Sequence, residues 1–172
     1  MSLQPHFLLR ATGAVTLAFL SLMPVLTRSQ DSQSSKKESV MTDRAQGTFK
    51  IDMKPLAADE GWGDFARLSI DKHFQGDLEG ESKGVMLAAH TEVKGSAGYV
   101  ALERVQGKLA GRSGSFVLQH SGMMGQGKQD QVITVVTDSG TGELMGISGT
   151  LKIIIEKEGH EYLFEYSLPT AD

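Results

Sequence analysis

The chain has 172 residues, of which 40% are apolar, 22% charged and 6% aromatic, with 20 glycines and a net charge of −4. This size and composition suit one compact domain. Because the chain has no cysteine, a disulfide scaffold, a cysteine-ligated metal centre and a cysteine nucleophile are excluded. The negative net charge argues against a phosphate-backbone binder, so no nucleic-acid partner is expected.

Residues 1–29 have the layout of a secretory signal peptide. One arginine precedes an apolar stretch over residues 11–26, and polar residues follow. This stretch is shorter than the roughly 20 residues that cross a bilayer, so no stable membrane anchor is expected. Cleavage after Ser29 would export the protein to the periplasm or medium. A start at Met41 is the alternative, and it would leave the protein cytoplasmic.

The segment 30–44 is polar over most of its length and predicts a disordered linker, after which residues 45–170 form the folded domain. In this domain short alternating apolar runs are separated by glycine-rich turns, and no long stretch has helical spacing. The pattern predicts an all-β fold. About eight strands are expected, at 46–54, 66–75, 78–91, 97–110, 113–122, 130–138, 143–156 and 160–168.

Three segments share the pattern G-x-L-x-G-x-S and begin at Gly76, Gly107 and Gly142. A solenoid is disfavoured because each interval holds two or more strands and no constant unit. Glycines at equivalent places in strands allow a sheet to bend into a closed barrel. A structural role is therefore the favoured interpretation. Phosphate binding is disfavoured because no strand, glycine loop and helix occur in succession.

The segment 99–122 predicts a buried acid–imidazole pair. A two-residue turn at Gly111-Arg112 would place Glu103 opposite His120, with Cβ atoms about 5 Å apart, on an otherwise apolar face. Such a pair could serve as a general base or proton shuttle if it opens into a cavity. A structural hydrogen bond that closes one end of the barrel is the alternative.

Aromatic and apolar side chains on the inward faces are the candidates for a ligand cavity. Strand alternation places an aromatic stripe on one face of 160–168, and a second apolar face runs along 99–122. Packing in a filled core is the alternative for the same residues. The candidate cavity residues are Tyr99, Phe116, Leu118, Tyr162 and Tyr166.

Several further kinds of site find no support in the sequence. Histidines are scattered singly without metal-ligand spacing, so no metal site is expected. No nucleophile elbow precedes a helix, and no motif indicates a cofactor. The acidic residues near Asp77 are interpreted as a solvated strand edge that deters pairing between edges.

Several motifs together resemble a bacterial family of unknown function whose structures have an allene-oxide-cyclase-like barrel. The resemblance covers about residues 45–168 and is carried by SIDK at 69–72, GDLEG at 76–80, GSAGYVA at 95–101, GRSGSFVLQH at 111–120, DSGTGEL at 138–144 and GT at 149–150. It implies a closed, antiparallel, up-and-down barrel that associates with itself. Plant allene oxide cyclases share this barrel and isomerise a fatty-acid epoxide without a cofactor, but none of their motifs is found here.

Three functions remain open at this point. The first is a barrel that binds a small, largely apolar molecule. The second is a cofactor-free isomerase or cyclase in which Glu103 and His120 move a proton. The third is a filled barrel that acts only as a self-associating scaffold.

Overall fold

The computed structural model describes residues 42–57, 61, 65–156 and 159–169. Within them the chain forms strands and no helix, as the alternating pattern predicts. The predicted signal peptide over 1–29 and the predicted linker over 30–41 lie outside the described residues. The linker prediction was wrong at its end, because residues 43–44 belong to the first strand and pair with the last one. The strands are β1 (Asp43–Pro55), β2 (Ala66–Gly76), β3 (Leu78–His90), β4 (Ala97–Leu109), β5 (Arg112–Gly125), β6 (Lys128–Val135), β7 (Thr141–Gly142), β8 (Ser148–Glu156) and β9 (Gly159–Ser167).

Eight of these strands close into an antiparallel barrel. β1 to β6 pair in sequence, β6 continues to β8 and β9, and β9 pairs with β1. The two-residue strand β7 lies beside β5 and is not part of the ring. The closed up-and-down barrel expected from the sequence is confirmed.

One predicted strand, 143–156, begins later than expected. The chain makes successive turns over residues 143–147, and β8 starts at Ser148. Gly142 and Gly146 both have positive φ in these turns, which ends any extended pairing there. Leu144 and Ile147 are fully or almost fully buried, so the turn segment packs into one end of the barrel.

The turn between β4 and β5 lies one residue earlier than predicted. It consists of Ala110 and Gly111, with φ of 47° and 83°, and not of Gly111 and Arg112. Two successive positive φ angles are typical of a type I′ turn, whose twist matches that of the flanking strands. The prediction placed glycine at the first loop position, whereas the chain places it at the second.

This earlier turn changes the predicted pairing of Glu103 with His120. Glu103 lies opposite Leu118, and His120 lies opposite Ala101. Because the pairing has moved by two residues, each side chain keeps the face that the sequence predicts. Glu103 and His120 are therefore diagonal neighbours inside the barrel and not directly opposite each other.

The two ends of the barrel differ in how they are filled. At the end that holds the β2–β3 and β4–β5 turns, fifteen buried apolar residues form one core, which includes Leu78, Phe116 and Phe164. Gly80 and Gly107 face each other there, and a Cβ on Gly107 would lie 2.1 Å from the Glu79 carbonyl oxygen. This close approach supports the structural interpretation of the glycine pattern. A cavity that is open to solvent lies toward the opposite end.

Candidate functional site

Four polar side chains are buried near the middle of the barrel. Lys72 and Ser82 are 3% exposed, His120 is 2% exposed and Glu103 is fully buried. They come from four consecutive strands, β2 to β5, and all point inward. Lys72 and Ser82 lie directly opposite each other in the β2–β3 pair. Buried charges normally require partners, and this cluster supplies them.

Glu103 is the centre of the cluster because both carboxylate oxygens have donors. Its Oε2 accepts a hydrogen bond from Lys72 Nζ at 2.7 Å, and its Oε1 accepts one from the Ser82 hydroxyl. Lys72 Nζ also lies 5.0 Å from the ring centre of Phe49 and 5.8 Å from that of Phe74. The ammonium therefore sits between a carboxylate and two aromatic faces, which compensates for its loss of water.

These neighbours hold Glu103 ionised. Burial is the largest single influence and would raise the pKa of this carboxyl group. The imidazole of His120, the charge and hydrogen bond of Lys72 and the hydroxyl of Ser82 together outweigh burial and lower the pKa from 4.5 to about 2. Glu103 is consequently an anion throughout the neutral range and a poor proton donor.

His120 contacts this carboxylate and faces the cavity. Its Nε2 lies 2.9 Å from Glu103 Oε2. The ring is turned so that this contact falls short of an aligned hydrogen bond, and Nε2 has no other partner among the described residues. Lys72 and His120 also contribute to the cavity wall. The imidazole thus connects the buried carboxylate with a space that a ligand can occupy.

The cavity has a volume of about 670 Å³ and a mostly apolar wall. It is large enough for a small organic molecule, since ligand sites typically span roughly 300–1,000 Å³. Its seven polar residues come from six strands, β2, β4, β5, β6, β8 and β9. The apolar part of its wall consists of Phe49, Ile51, Met53, Ile70, Met86, Met124, Ile153, Ile154 and Ile155.

The cavity also reaches a gap in the barrel wall. β6 and β8 are paired only at Thr134 and Thr150 within the described residues, near the packed end. Toward the cavity end both strands remain extended, but no further residues of the two are paired in the described part of the chain, and this unpaired stretch is the gap. Gln131 on β6 and Lys152 on β8 lie on either side of this gap and contribute to the cavity wall.

Tyr99 separates the cavity from a groove on the outer surface. Its ring packs on Gly122, and its hydroxyl accepts a hydrogen bond from Gln131 Nε2 at 2.5 Å. The outer groove, of about 480 Å³, has a strongly apolar wall that includes Val100 and Met123. Tyr99 contributes to the walls of both spaces.

The structure divides the candidate site residues into two groups. Tyr99 and His120 contribute to the cavity wall. Glu103 lies behind this wall, in contact with His120 and Lys72. The other four candidates belong to the packed core and are absent from the cavity wall. These four are Phe116, Leu118, Tyr162 and Tyr166.

Lys72 and Ser82 were not predicted as site residues. The signal for Lys72 is present, because it alternates with Ile70 and Phe74 on the inward face of β2. A lysine on an apolar strand face requires a buried counter-charge, and Glu103 is the buried acid available. Ser82 lies on a face of small residues that gives no comparable signal.

Within the described residues, no group of three or more His, Asp or Glu side chains is arranged to hold a metal ion. The same residues include no helix of the length and hydropathy needed to span a membrane.

Comparison with known proteins identifies the family. The family model described as "Protein of unknown function (DUF3224)" matches residues 45–166. A crystal structure of a DUF3224 protein of unknown function from Shewanella oneidensis MR-1 is 46% identical and superposes with a TM-score of 0.71. The match covers 76% of this chain and 100% of that chain. No curated protein matches the chain. On this evidence the chain belongs to DUF3224, a family of proteins of unknown function.

Proposed function

We propose that the barrel binds a small, largely apolar molecule in the cavity at its open end. The observation that carries the proposal is a cavity of about 670 Å³ in whose wall nine of the sixteen residues are isoleucine, methionine or phenylalanine and seven are polar. This combination is typical of ligand sites, in which apolar walls supply affinity and a few polar groups fix orientation. Methionine side chains adapt readily to different ligand shapes.

Native mass spectrometry of the protein purified from a bacterial host, together with titration of the neutral fluorescent probe N-phenyl-1-naphthylamine, tests this proposal. We expect either a copurified molecule of a few hundred daltons or saturable probe binding. The Met86→Trp variant should fill the cavity and weaken probe binding. Met123→Trp is the matched control, because Met123 is 74% exposed on the outer surface. Loss of binding in the control but not in Met86→Trp would place the probe in the outer groove and contradict the proposal.

A second candidate is a cofactor-free isomerase or cyclase. The contact of 2.9 Å between His120 Nε2 and Glu103 Oε2, on a ring that faces the cavity, favours it. The carboxylate would orient the imidazole while His120 exchanges a proton with the ligand. Incubation of a copurified molecule with the protein tests the reaction. Turnover that falls in His120→Asn while the molecule still binds would support it, and unchanged turnover would exclude His120.

The outer apolar surface supports association with a second copy of the chain. Exposed residues of neighbouring strands β3 to β6 form it, with relative exposures of 43% to 74%: Val85, Val100, Leu102, Met123 and Val132. Contiguous apolar surface of this kind is typical of protein interfaces. Light scattering should give a mass above that of the monomer for the wild type and a monomer for Leu102→Glu. A wild-type monomer at micromolar concentration would exclude the dimer.

Export remains part of the proposal and rests on residues 1–29 alone. Mass measurement of the protein from whole cells and from the periplasmic fraction tests it. A chain that begins at Gln30 in the periplasm would support export. A cytoplasmic chain that begins at Met41 would contradict it.

A further inference from the structure

The wall of the cavity carries basic groups and no acidic side chain. Among the sixteen residues that form it within the described part of the chain are two lysines and two histidines, Lys72, Lys152, His120 and His160, and no Asp or Glu. The chain as a whole has a net charge of −4. The local excess of basic groups is therefore opposite in sign to the charge of the molecule.

The two lysines differ in their electrostatic balance. The ammonium of Lys72 is 2.7 Å from the Glu103 carboxylate, so this buried pair has no net charge. Lys152 is exposed and has no carboxylate partner among the side chains that the structure describes. The uncompensated positive charge of the cavity is consequently that of Lys152.

Lys152 is an exposed residue of the cavity wall. It lies on β8 two residues beyond Thr150, which forms the last β6–β8 pair, and therefore at the start of the gap. Its neighbour Ile153 points inward, whereas Lys152 is exposed and contributes to the wall beside the unpaired stretch of β6 and β8. A lysine in this position can lay its aliphatic stem along the wall and keep its ammonium in water.

The interior of the cavity suits an apolar body. Ile51, Ile70, Met86 and Ile153 contribute to the wall, and all four are apolar and buried or half-buried. His120 is a buried polar residue of this wall, and its Nε2 has no aligned hydrogen-bond partner among the described residues. The wall thus combines an exposed ammonium, a set of apolar side chains and a buried imidazole.

We propose that the ligand is a free amphiphile with an anionic group, such as a carboxylate, at Lys152 and an apolar body inside the cavity. This inference rests on the proposed function and names the class of molecule that the cavity takes. The basic wall disfavours a cationic amphiphile, because no carboxylate on the wall could pair with it. The exposure of Lys152 favours a ligand whose apolar part enters the cavity while its anionic group stays near the solvent.

Displacement of N-phenyl-1-naphthylamine by decanoate, decanol and decylamine, each below its micellar concentration, tests the inference. These probes share one apolar chain and differ in head group. We expect decanoate to bind about tenfold more tightly than decanol, as one ion pair near a protein surface allows, and decylamine to bind most weakly. Lys152→Gln should abolish the preference for decanoate, and Lys152→Glu should shift it to decylamine. Lys108→Gln is the matched control, since Lys108 is exposed near the packed end.

The outcomes separate the two proposals. Equal binding of decanoate and decanol to the wild type, or an unchanged preference in Lys152→Gln, would overturn the proposal of an anionic ligand. The proposal that the cavity binds an apolar molecule would be unaffected. Absence of probe binding would overturn both. Sedimentation of the protein with phosphatidylglycerol vesicles, without a response to soluble decanoate, would identify a membrane surface as the target and overturn the free amphiphile.

Discussion

Replacement of Glu103 by glutamine is expected to destabilise the barrel strongly because it leaves the Lys72 ammonium without its counter-charge. Lys72 is 3% exposed, and its one carboxylate partner among the described side chains is Glu103, at 2.7 Å. Removal of one member of a buried ion pair typically costs about 3–5 kcal/mol. The pKa of Glu103 gives a similar magnitude, since a decrease from 4.5 to about 2 corresponds to roughly 3 kcal/mol.

The free energy of unfolding in urea measures this effect. The double variant Lys72→Met/Glu103→Gln should recover most of the loss, because a neutral pair leaves no buried charge. Glu165→Gln is a matched control, since Glu165 forms an exposed ion pair with Arg44 at 2.9 Å and should cost less than about 1 kcal/mol. If Glu103→Gln stays within about 1 kcal/mol of the wild type, or if the double variant is no more stable than the single one, the reasoning is refuted.

Three further predictions follow from particular contacts. Folding lowers the pKa of Glu103 from 4.5 to about 2, so the contribution of its carboxylate to stability is present above pH 4.5 and is lost as the pH falls toward 2. The free energy of unfolding of the wild type should therefore decrease across this range. The variant Lys72→Met/Glu103→Gln should lack this component of the decrease. Tyr162→Phe should lower the free energy of unfolding in urea by roughly 1–3 kcal/mol, because the buried Leu78 N–H, 2.8 Å from the Tyr162 hydroxyl oxygen, would lose its acceptor. An unchanged urea midpoint would mean that another group accepts this hydrogen bond. Gly122→Ala should displace the Tyr99 ring, whose Cε1 lies 2.3 Å from the position of the added Cβ, and so change the affinity for N-phenyl-1-naphthylamine. Gly98→Ala is the control and should leave this affinity unchanged, because its added Cβ has its nearest contact at 3.8 Å. Equal affinities in the two variants would contradict a role of Tyr99 in shaping the cavity.

The buried cluster changes how a functional role for Glu103 can be tested. A pair that consisted only of Glu103 and His120 could lose its carboxylate with little effect on stability, so activity alone would be informative. Lys72 makes Glu103→Gln a structural perturbation as well. His120 is the better position for a functional test, because its imidazole faces the cavity and its Nε2 has no aligned hydrogen-bond partner to lose.

The barrel fold is determined mainly by local properties of the sequence. Period-two alternation of apolar residues predicted the strands, and turn glycines separated them, so the predicted ranges differ from the observed ones by a few residues in most cases. The inward face of each strand follows from the same alternation. For this reason an error of two residues in the β4–β5 register left Glu103 and His120 on the inward face.

Tertiary structure alone decided what surrounds these residues. The pairing of β2 with β3 and of β3 with β4 brings Lys72 to Glu103 across an intervening strand, and no pattern along the chain encodes that distance. The distribution of empty space is also a property of the closed barrel. Phe116 and Tyr162 have the composition expected of a cavity wall, yet they fill the packed end, where Leu144 and Ile147 close over them. The cavity lies toward the other end, where β6 and β8 have no paired residues among those described. Pairing between distant segments is not specified by alternation within one strand.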